Sequence, residues 1–137
     1  MTYRNEYDLV AQMRRAIRAE YPQAWELKTA STGYQRPGVP DLLICLHGRL
    51  IAIEAKHQKP GESLPHMFDR VSAIQRVELA ELRHAGAEAF VCWTVAQALA
   101  ILERVDREVE DETPDRITPS VAYRFPPSGL DPATFRP

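Results

Sequence analysis

Two carboxylates and a lysine at the ends of adjacent apolar runs are the residues of this chain best suited to chemistry. Asp41 precedes the first run, 42–46, and Glu54 and Lys56 lie at the end of the second. Both runs have a β-type composition, and His47-Gly48 between them can adopt the positive φ angles of a two-residue turn. The segment therefore predicts a β-hairpin with ionisable side chains at its open end.

The hairpin register predicts that these three side chains share one face. If Leu46 faces Arg49 across the turn, Asp41 lies directly opposite Glu54. Lys56, two residues further on, is on the same face because side chains alternate along a strand. Opposed Cβ atoms are about 5 Å apart, and like charges at that separation are destabilising. One of the two carboxyl groups should therefore have a raised pKa unless a cation lies between them.

A hard divalent cation fits this arrangement. Mg²⁺ is commonly held by one or two carboxylates, keeps several waters and completes its coordination shell with phosphate oxygens of a substrate. Lys56 could place its positive charge against that phosphate or against the attacking water, as cleavage of a phosphoester requires. The alternative is that Asp41, Glu54 and Lys56 form only a solvated ion network at the edge of a sheet.

Apolar spacing and turn residues predict the element order αβββαβα. Asn5 can cap a first helix, which Pro22 stops, and Ser72 or Asp69 can cap the second. Both faces of the hairpin are largely apolar, which indicates strands covered by helices on each side. The remaining elements are a strand over 25–28, a loop over 59–65, a strand over 89–93 and a helix over 95–105.

Length and composition indicate a small intracellular domain. With 137 residues, 45% of them hydrophobic, the chain is long enough for one well-packed core. Cys45 and Cys92 lie in apolar runs, which predicts buried free thiols in a reducing compartment. Trp25 and Trp93 are likewise expected in the core. No run approaches the ~20 apolar residues of a membrane span, so we expect a cytoplasmic protein without membrane contact.

The net charge of −2 is unevenly distributed along the chain. The stretch 103–115 carries a net charge of −5, and the rest of the chain carries +3. This mild basic excess is compatible with a surface that contacts phosphates, although an ordinary solvated surface explains it equally well.

The order of these motifs resembles that of the PD-(D/E)XK phosphodiesterase superfamily, and in particular its VRR-NUC branch. In that branch a Gly-x-Pro-Asp segment precedes a Glu-x-Lys strand, and a helix carrying a glutamine follows. Here these elements are Gly38 to Asp41, Glu54-Ala55-Lys56 and Gln75, and Gly86 matches the glycine that ends the glutamine helix.

The resemblance runs from about Asn5 to Leu102 and leaves the C-terminal segment uncovered. It departs from the family at His57, where relatives often have a small residue, and this puts the shape of the following loop in question. The resemblance implies a three-layer α/β/α fold around a mixed four-stranded sheet. It also divides the chain into a nuclease domain over 1–112 and a proline-rich arm over 113–137.

The resemblance implies an endonuclease that depends on Mg²⁺ or Mn²⁺ and hydrolyses DNA phosphodiester bonds. Asp41 and Glu54 would bind the metal, and Lys56 would orient water and stabilise the developing charge. Glu6 would assist in metal binding, unless it is only a helix-cap or surface residue. Gln75 would be an active-site residue, unless it is only the capping-box partner of the N-cap serine.

The substrate implied by the resemblance is branched or flapped DNA, in a phage or bacterial recombination, repair or packaging setting. Two alternatives remain open at this stage. One is a non-catalytic interaction module that kept the fold and lost turnover. The other is a metal-dependent nuclease that acts on RNA.

The proline-rich arm carries apolar residues that should lie against a protein surface. From Thr113 onward it contains six of the chain's eleven prolines, together with Val121, Tyr123, Phe125 and other apolar residues. The arm could cover its own domain, or it could reach a second subunit. Because related enzymes that cut two-fold symmetric DNA often act as dimers, we expect a homodimer to which the arm contributes.

Overall fold

A four-stranded mixed sheet organises the part of the chain that the computed structural model describes, residues 2–30 and 35–110. The strand order is β1-β2-β3-β4, in which β2 pairs antiparallel with β1 and with β3, and β4 pairs parallel with β3. The strands are β1 (Trp25–Lys28), β2 (Leu42–Leu46), β3 (Arg49–Ala55) and β4 (Glu88–Cys92).

Within the described residues, four helices accompany the sheet, and three of them form its two outer layers. They are α1 (Glu6–Glu20), α2 (Leu64–Asp69), α3 (Ala73–His84) and α4 (Val95–Glu110). Helices α1 and α4 pack against each other and against one face of the sheet, and α3 packs against β3 and β4 on the other face. The fold is therefore the three-layer α/β/α arrangement that the sequence predicts.

Side-chain alternation along the hairpin divides the core between the two faces. Leu42, Ile44, Ile51 and Ile53 are fully buried on the face covered by α1 and α4. Ala52 between them turns to the opposite face, where it packs with Leu79 of α3 and with β4. Because both faces of the central strands are covered, their sequences read as nearly continuous apolar runs.

The hairpin turn has the predicted form and fixes the predicted register. His47 and Gly48 have φ angles of 51° and 77°, as a two-residue turn of type I′ requires. Leu46 pairs with Arg49, and Leu42 pairs with Ile53. Asp41 precedes Leu42 and Glu54 follows Ile53, so both residues lie at the open end of the hairpin.

The helix ends follow the capping residues of the sequence. The Asn5 side chain accepts a hydrogen bond from the Asp8 backbone N–H at 2.8 Å and caps α1. Ser72 caps α3, and Gly86 follows that helix with a φ angle of +100°. A positive φ is inexpensive only for glycine, which explains this residue beyond the end of α3.

Several sequence-based expectations are wrong in detail. Part of the expected breaker loop is the short helix α2, and α4 extends beyond the expected end of the last helix to Glu110. Trp25 is 56% exposed and Cys45 is exposed, whereas both were expected in the core. The reason is that α3 lies over β3 and β4 and leaves part of that face of β1 and β2 open.

Within the described part of the chain, no helix is both long and apolar enough to cross a membrane. The proline-rich arm over 113–137 lies outside the described residues, so its boundary at residue 113 stays a prediction.

Candidate active site

Asp41 is held at the open end of the hairpin by its neighbours in the fold. The Thr29 backbone N–H donates to the Asp41 carbonyl at 2.9 Å, and the Thr29 hydroxyl donates to the Pro40 carbonyl at 2.8 Å. The Asp41 carboxylate accepts the backbone N–H of Ala55 at 2.8 Å. This last bond ties the carboxylate to the end of β3, next to Glu54.

Gly38 allows the segment before Asp41 to pass directly over α3. Its φ angle is +84°, and a Cβ atom there would lie 2.9 Å from the backbone carbonyl oxygen of Ile74. Any larger residue would therefore combine an unfavourable φ with a steric overlap against backbone. This close approach brings the segment that carries Asp41 against the first turn of α3, which carries Gln75.

Glu54 is a nearly fully buried carboxylate with one oxygen left without a partner. The residue is 2% exposed, and its Oε1 accepts a hydrogen bond from Gln75 Nε2 at 2.8 Å. Its Oε2 is buried and has no hydrogen-bond partner among the described residues. Most buried polar atoms in folded proteins are hydrogen-bonded, so this oxygen is open to a bound cation or, when Glu54 is protonated, to the neighbouring Asp41 carboxylate, whose hydrogen bond also raises the pKa of Glu54.

Lys56 continues the same strand face. Its backbone N–H donates to the Cys92 carbonyl at 3.0 Å, which extends the pairing of β3 with β4 by one residue. The side chain is buried, with the residue 7% exposed, and Nζ lies 3.6 Å from Oε1 of Glu54. The site therefore holds a buried cation within ion-pair distance of a buried carboxylate.

Gln75 joins the helix cap to the candidate site. Its Oε1 accepts the backbone N–H of Ser72 at 2.9 Å, and the Ser72 hydroxyl accepts the Gln75 backbone N–H at 3.3 Å. This is a complete capping box. The other end of the amide, Nε2, donates to Glu54. The sequence offers a capping role and an active-site role as alternatives for Gln75. In the structure, the same side chain makes both contacts.

Burial and mutual repulsion make Asp41 and Glu54 hard to ionise together. Burial, followed by the charge of Asp41, raises the pKa of Glu54 to about 8, although Lys56 opposes the shift. Burial also raises the pKa of Asp41, against the Ala55 hydrogen bond and the charge of Lys56. Glu6 acts on both carboxyls in the same upward direction. Two neighbouring carboxyls with raised pKa values are typical of functional sites.

Glu6 is near the site, but its carboxylate is turned to Arg70. Arg70 Nη1 lies 3.2 Å from Glu6 Oε1, and the same guanidinium makes two hydrogen bonds to Glu62 and one to the His57 carbonyl. Arg70 thus joins the start of α1 to the chain that follows Lys56. No sequence pattern indicates this role of Arg70, which becomes visible only once α1 and α2 are placed together.

The donor set fits a hard divalent cation held by two carboxylates. Asp41 and Glu54 supply oxygen ligands, and the unpartnered Oε2 of Glu54 is a ready electron-pair donor. Within residues 2–30 and 35–110, no group of three or more His, Cys, Asp or Glu side chains is placed to hold a metal ion. A role for Glu6 as a further ligand therefore stays a prediction, since its carboxylate would have to leave Arg70.

The surroundings of the site are rich in basic and aromatic groups. Lys28 Nζ lies 4.8 Å from the centroid of the exposed Tyr7 ring, beside Glu6 on α1. The loop after Lys56 is anchored where His57 Nε2 hydrogen-bonds the Tyr3 carbonyl at 2.7 Å. A cavity of about 490 Å³ opens there, lined among others by Lys59 and Trp93. Ser31 falls outside the described residues.

Comparisons with known proteins are sparse. No family model matches the chain, and no curated protein matches it. Among solved structures, the chain is similar to one described as "VRR_NUC domain", with 23% sequence identity and a TM-score of 0.41. The match covers 75% of this chain and 96% of that chain.

Proposed function

We propose that this protein is a divalent-metal-dependent nuclease that hydrolyses phosphodiester bonds in DNA. The observation that carries the proposal is the buried, unpartnered Oε2 of Glu54, next to Asp41 and on the same strand face as Lys56. A buried carboxylate pair with raised pKa values is costly in a purely structural role, because two similar apolar side chains would fill the same space without that cost. The arrangement is useful if a cation binds there.

Each residue has a distinct task in this proposal. Asp41 and Glu54 would hold Mg²⁺ or Mn²⁺, which when bound supplies Lewis acidity and lowers the pKa of water. The Lys56 ammonium cannot coordinate a cation, and it would stabilise negative charge on the phosphate as the oxygen of water attacks phosphorus and the P–O ester bond breaks. Gln75 would fix the rotamer of Glu54 and leave Oε2 free for the metal.

The charge distribution in the fold supports an anionic substrate. The acidic part of α4 is bound at the opposite end of the hairpin, where Asp106 lies 2.5 Å from His47 and Glu108 pairs with Arg49. Strand β3 separates that end from the site by about 20 Å, which is roughly twice the Debye length at physiological ionic strength. Asp106 and Glu108 therefore have little influence on a phosphate at the site.

The finer parts of the proposal concern the substrate and its setting. We propose flapped or branched DNA as the substrate, in recombination or repair within the cytoplasm. The homodimer expected from a two-fold symmetric substrate stays a prediction, which light scattering with and without DNA would test.

The decisive experiment uses the purified full-length protein with flap, junction, duplex and single-stranded DNA and with matched RNA substrates. Each substrate is incubated with Mg²⁺, with Mn²⁺ and with EDTA. We expect DNA cleavage that requires metal and that disappears in Asp41→Asn, while Glu103→Gln, a change of an exposed carboxylate on α4, leaves the rate unchanged.

Three results would contradict the proposal in different ways. An Asp41→Asn protein with the wild-type rate would reject the site. DNA binding without cleavage under any metal condition would favour a non-catalytic module. Cleavage confined to RNA would retain the site and reject the substrate class.

A further inference from the structure

The sheet has an apolar area that no described element covers. Helix α3 lies over β3 and β4, and the side chains of β1 and β2 toward its side are left partly open. In the register, Trp25 pairs with Cys45, and Cys45 pairs with Leu50. Trp25 is 56% exposed, Leu27 45% and Leu50 38%, and Cys45 is also exposed. We call these four residues the open face.

The open face needs an explanation because it is contiguous and lies at the edge of the sheet. Single exposed apolar residues are common on protein surfaces, but a row across three adjacent strands is a candidate contact surface. Strand β1 is also an edge strand, and natural proteins usually cover or blunt such edges to avoid association.

The chain leaves the described structure next to this face. Asp106 and Glu108 fix the last turns of α4 to His47 and Arg49 at the hairpin turn. Arg49 immediately precedes Leu50, and the row of Trp25, Cys45 and Leu50 lies one residue, about 3.4 Å, from the turn. The described part of the chain therefore ends near the row of Trp25, Cys45 and Leu50.

The length and the sequence of residues 111–137 suit the open face. The six residues 111–116 can span about 20 Å when extended, whereas passing from the α4 layer to the opposite face of the sheet requires roughly 10–15 Å. The apolar residues Ile117, Val121, Tyr123 and Phe125 follow, and the last three are spaced two apart. That spacing can place their side chains on one side of an extended chain.

We propose that residues 117–125 of the same chain cover the open face. Tethering favours this occupant over a second copy, because a short linker gives an effective concentration in the millimolar range. The row of Trp25, Cys45 and Leu50 lies at the opposite end of the strands from Asp41 and Glu54, so this inference does not depend on the proposed nuclease function.

The reactivity of the Cys45 thiol can report whether the open face is covered. The only other cysteine, Cys92, is 1% exposed, and burial raises the pKa of its thiol to about 12, so it should react slowly. The reaction of a soluble thiol reagent with the native full-length protein therefore reports the accessibility of Cys45. The variant Cys45→Ser identifies any residual labelling as that of Cys92.

The test compares two full-length double variants that carry the same number of added charges. Tyr123→Asp with Phe125→Asp changes the proposed contact, and Leu130→Asp with Phe135→Asp changes the same segment outside it. We expect wild-type Cys45 to react about tenfold more slowly than a free thiol, which corresponds to an opening free energy of about 1.4 kcal/mol. The first variant should remove this protection and the second should retain it.

Every other outcome overturns the proposal. Labelling of wild-type Cys45 at the rate of a free thiol would show that nothing covers the open face. Equal loss of protection in both double variants, or loss only in the second, would assign the contact to other residues. Protection that disappears on dilution of the wild type would assign it to a second copy of the chain, in line with the expected dimer.

Discussion

The substitution Glu54→Gln tests the electrostatics of the site without any substrate. The amide keeps the shape of the side chain and can still accept the hydrogen bond from Gln75, but it does not ionise. In the metal-free wild type, burial and the nearby Asp41 charge raise the pKa of Glu54 from 4.5 to about 8. The variant therefore removes the ionisable carboxyl of Glu54 and leaves the packing around the side chain in place.

The sign of the effect follows from proton linkage. Below pH 4.5 Glu54 is protonated in both the folded and the unfolded chain, so its full contribution to stability is present there. As the pH rises toward 8, the unfolded chain ionises first, and the folded state loses stability relative to it. The wild type should therefore become progressively less stable than Glu54→Gln between about pH 5 and pH 8.

The size of the effect comes from the same shift. One pKa unit corresponds to about 1.36 kcal/mol, so the shift from 4.5 to about 8 sets an upper limit of roughly 5 kcal/mol on the free energy of unfolding. A difference in unfolding free energy of half that limit would separate the melting temperatures of wild type and Glu54→Gln by on the order of 10 °C in a domain of this size.

The assay is thermal unfolding in EDTA at several pH values, followed by circular dichroism. A matched control is Glu103→Gln, whose carboxylate is 62% exposed on α4 and which should track the wild type at every pH. Added Mg²⁺ should then stabilise the wild type at pH 8 and have less effect on Glu54→Gln, because binding to the folded state raises its stability. A difference in melting temperature between wild type and Glu54→Gln that is the same at pH 5 and pH 8 would refute this reasoning.

Three further predictions concern the other parts of the site. Lys56→Met should bind Mg²⁺ in calorimetry and lose turnover, and a simultaneous loss of metal affinity would contradict the separation of roles. Gln75→Leu and Ser72→Ala should each lower the free energy of unfolding by about 1 kcal/mol through loss of the capping box, but only the Gln75 change should also lower activity. Gly38→Ala should destabilise the protein by about 1–3 kcal/mol more than Gly61→Ala, measured by urea unfolding, because both have positive φ but only Gly38 faces backbone at 2.9 Å.

The hairpin is the part of the site that local sequence information determined. Its two turn residues set the register from Leu46 and Arg49 outward, and the structure has this register. The position of Asp41 opposite Glu54 follows from that register alone. No distant part of the chain is needed to predict it, because register in a tight hairpin is a local property.

The role of Gln75 could not be decided at that level. A Ser-x-x-Gln pattern predicts a capping box, and the family resemblance implies a site residue. The structure shows that the two ends of one amide make both contacts. Only the packing of α3 over β3, permitted by the close approach at Gly38, brings the amide within reach of Glu54.

The wrong predictions for α2, Trp25 and Cys45 also come from using local sequence patterns alone. The breaker residues of 59–65 favour a loop over that range, yet Ser63 caps α2 and Pro65 lies in its first turn, where a missing N–H costs nothing. Trp25 and Cys45 were expected in the core because apolar strand residues usually are. Whether a strand face is buried depends on which strands a helix crosses.

The sequence by itself therefore determined the four strands, three of the four described helices, the hairpin register and the grouping of Asp41, Glu54 and Lys56 on one face. The tertiary structure decided the burial that raises the pKa values of the two carboxyls, the link from Gln75 to Glu54 and the pairing of Glu6 with Arg70. It also decided that part of one sheet face is open. These features depend on how the helix layers pack against the sheet, and local sequence patterns do not predict that packing.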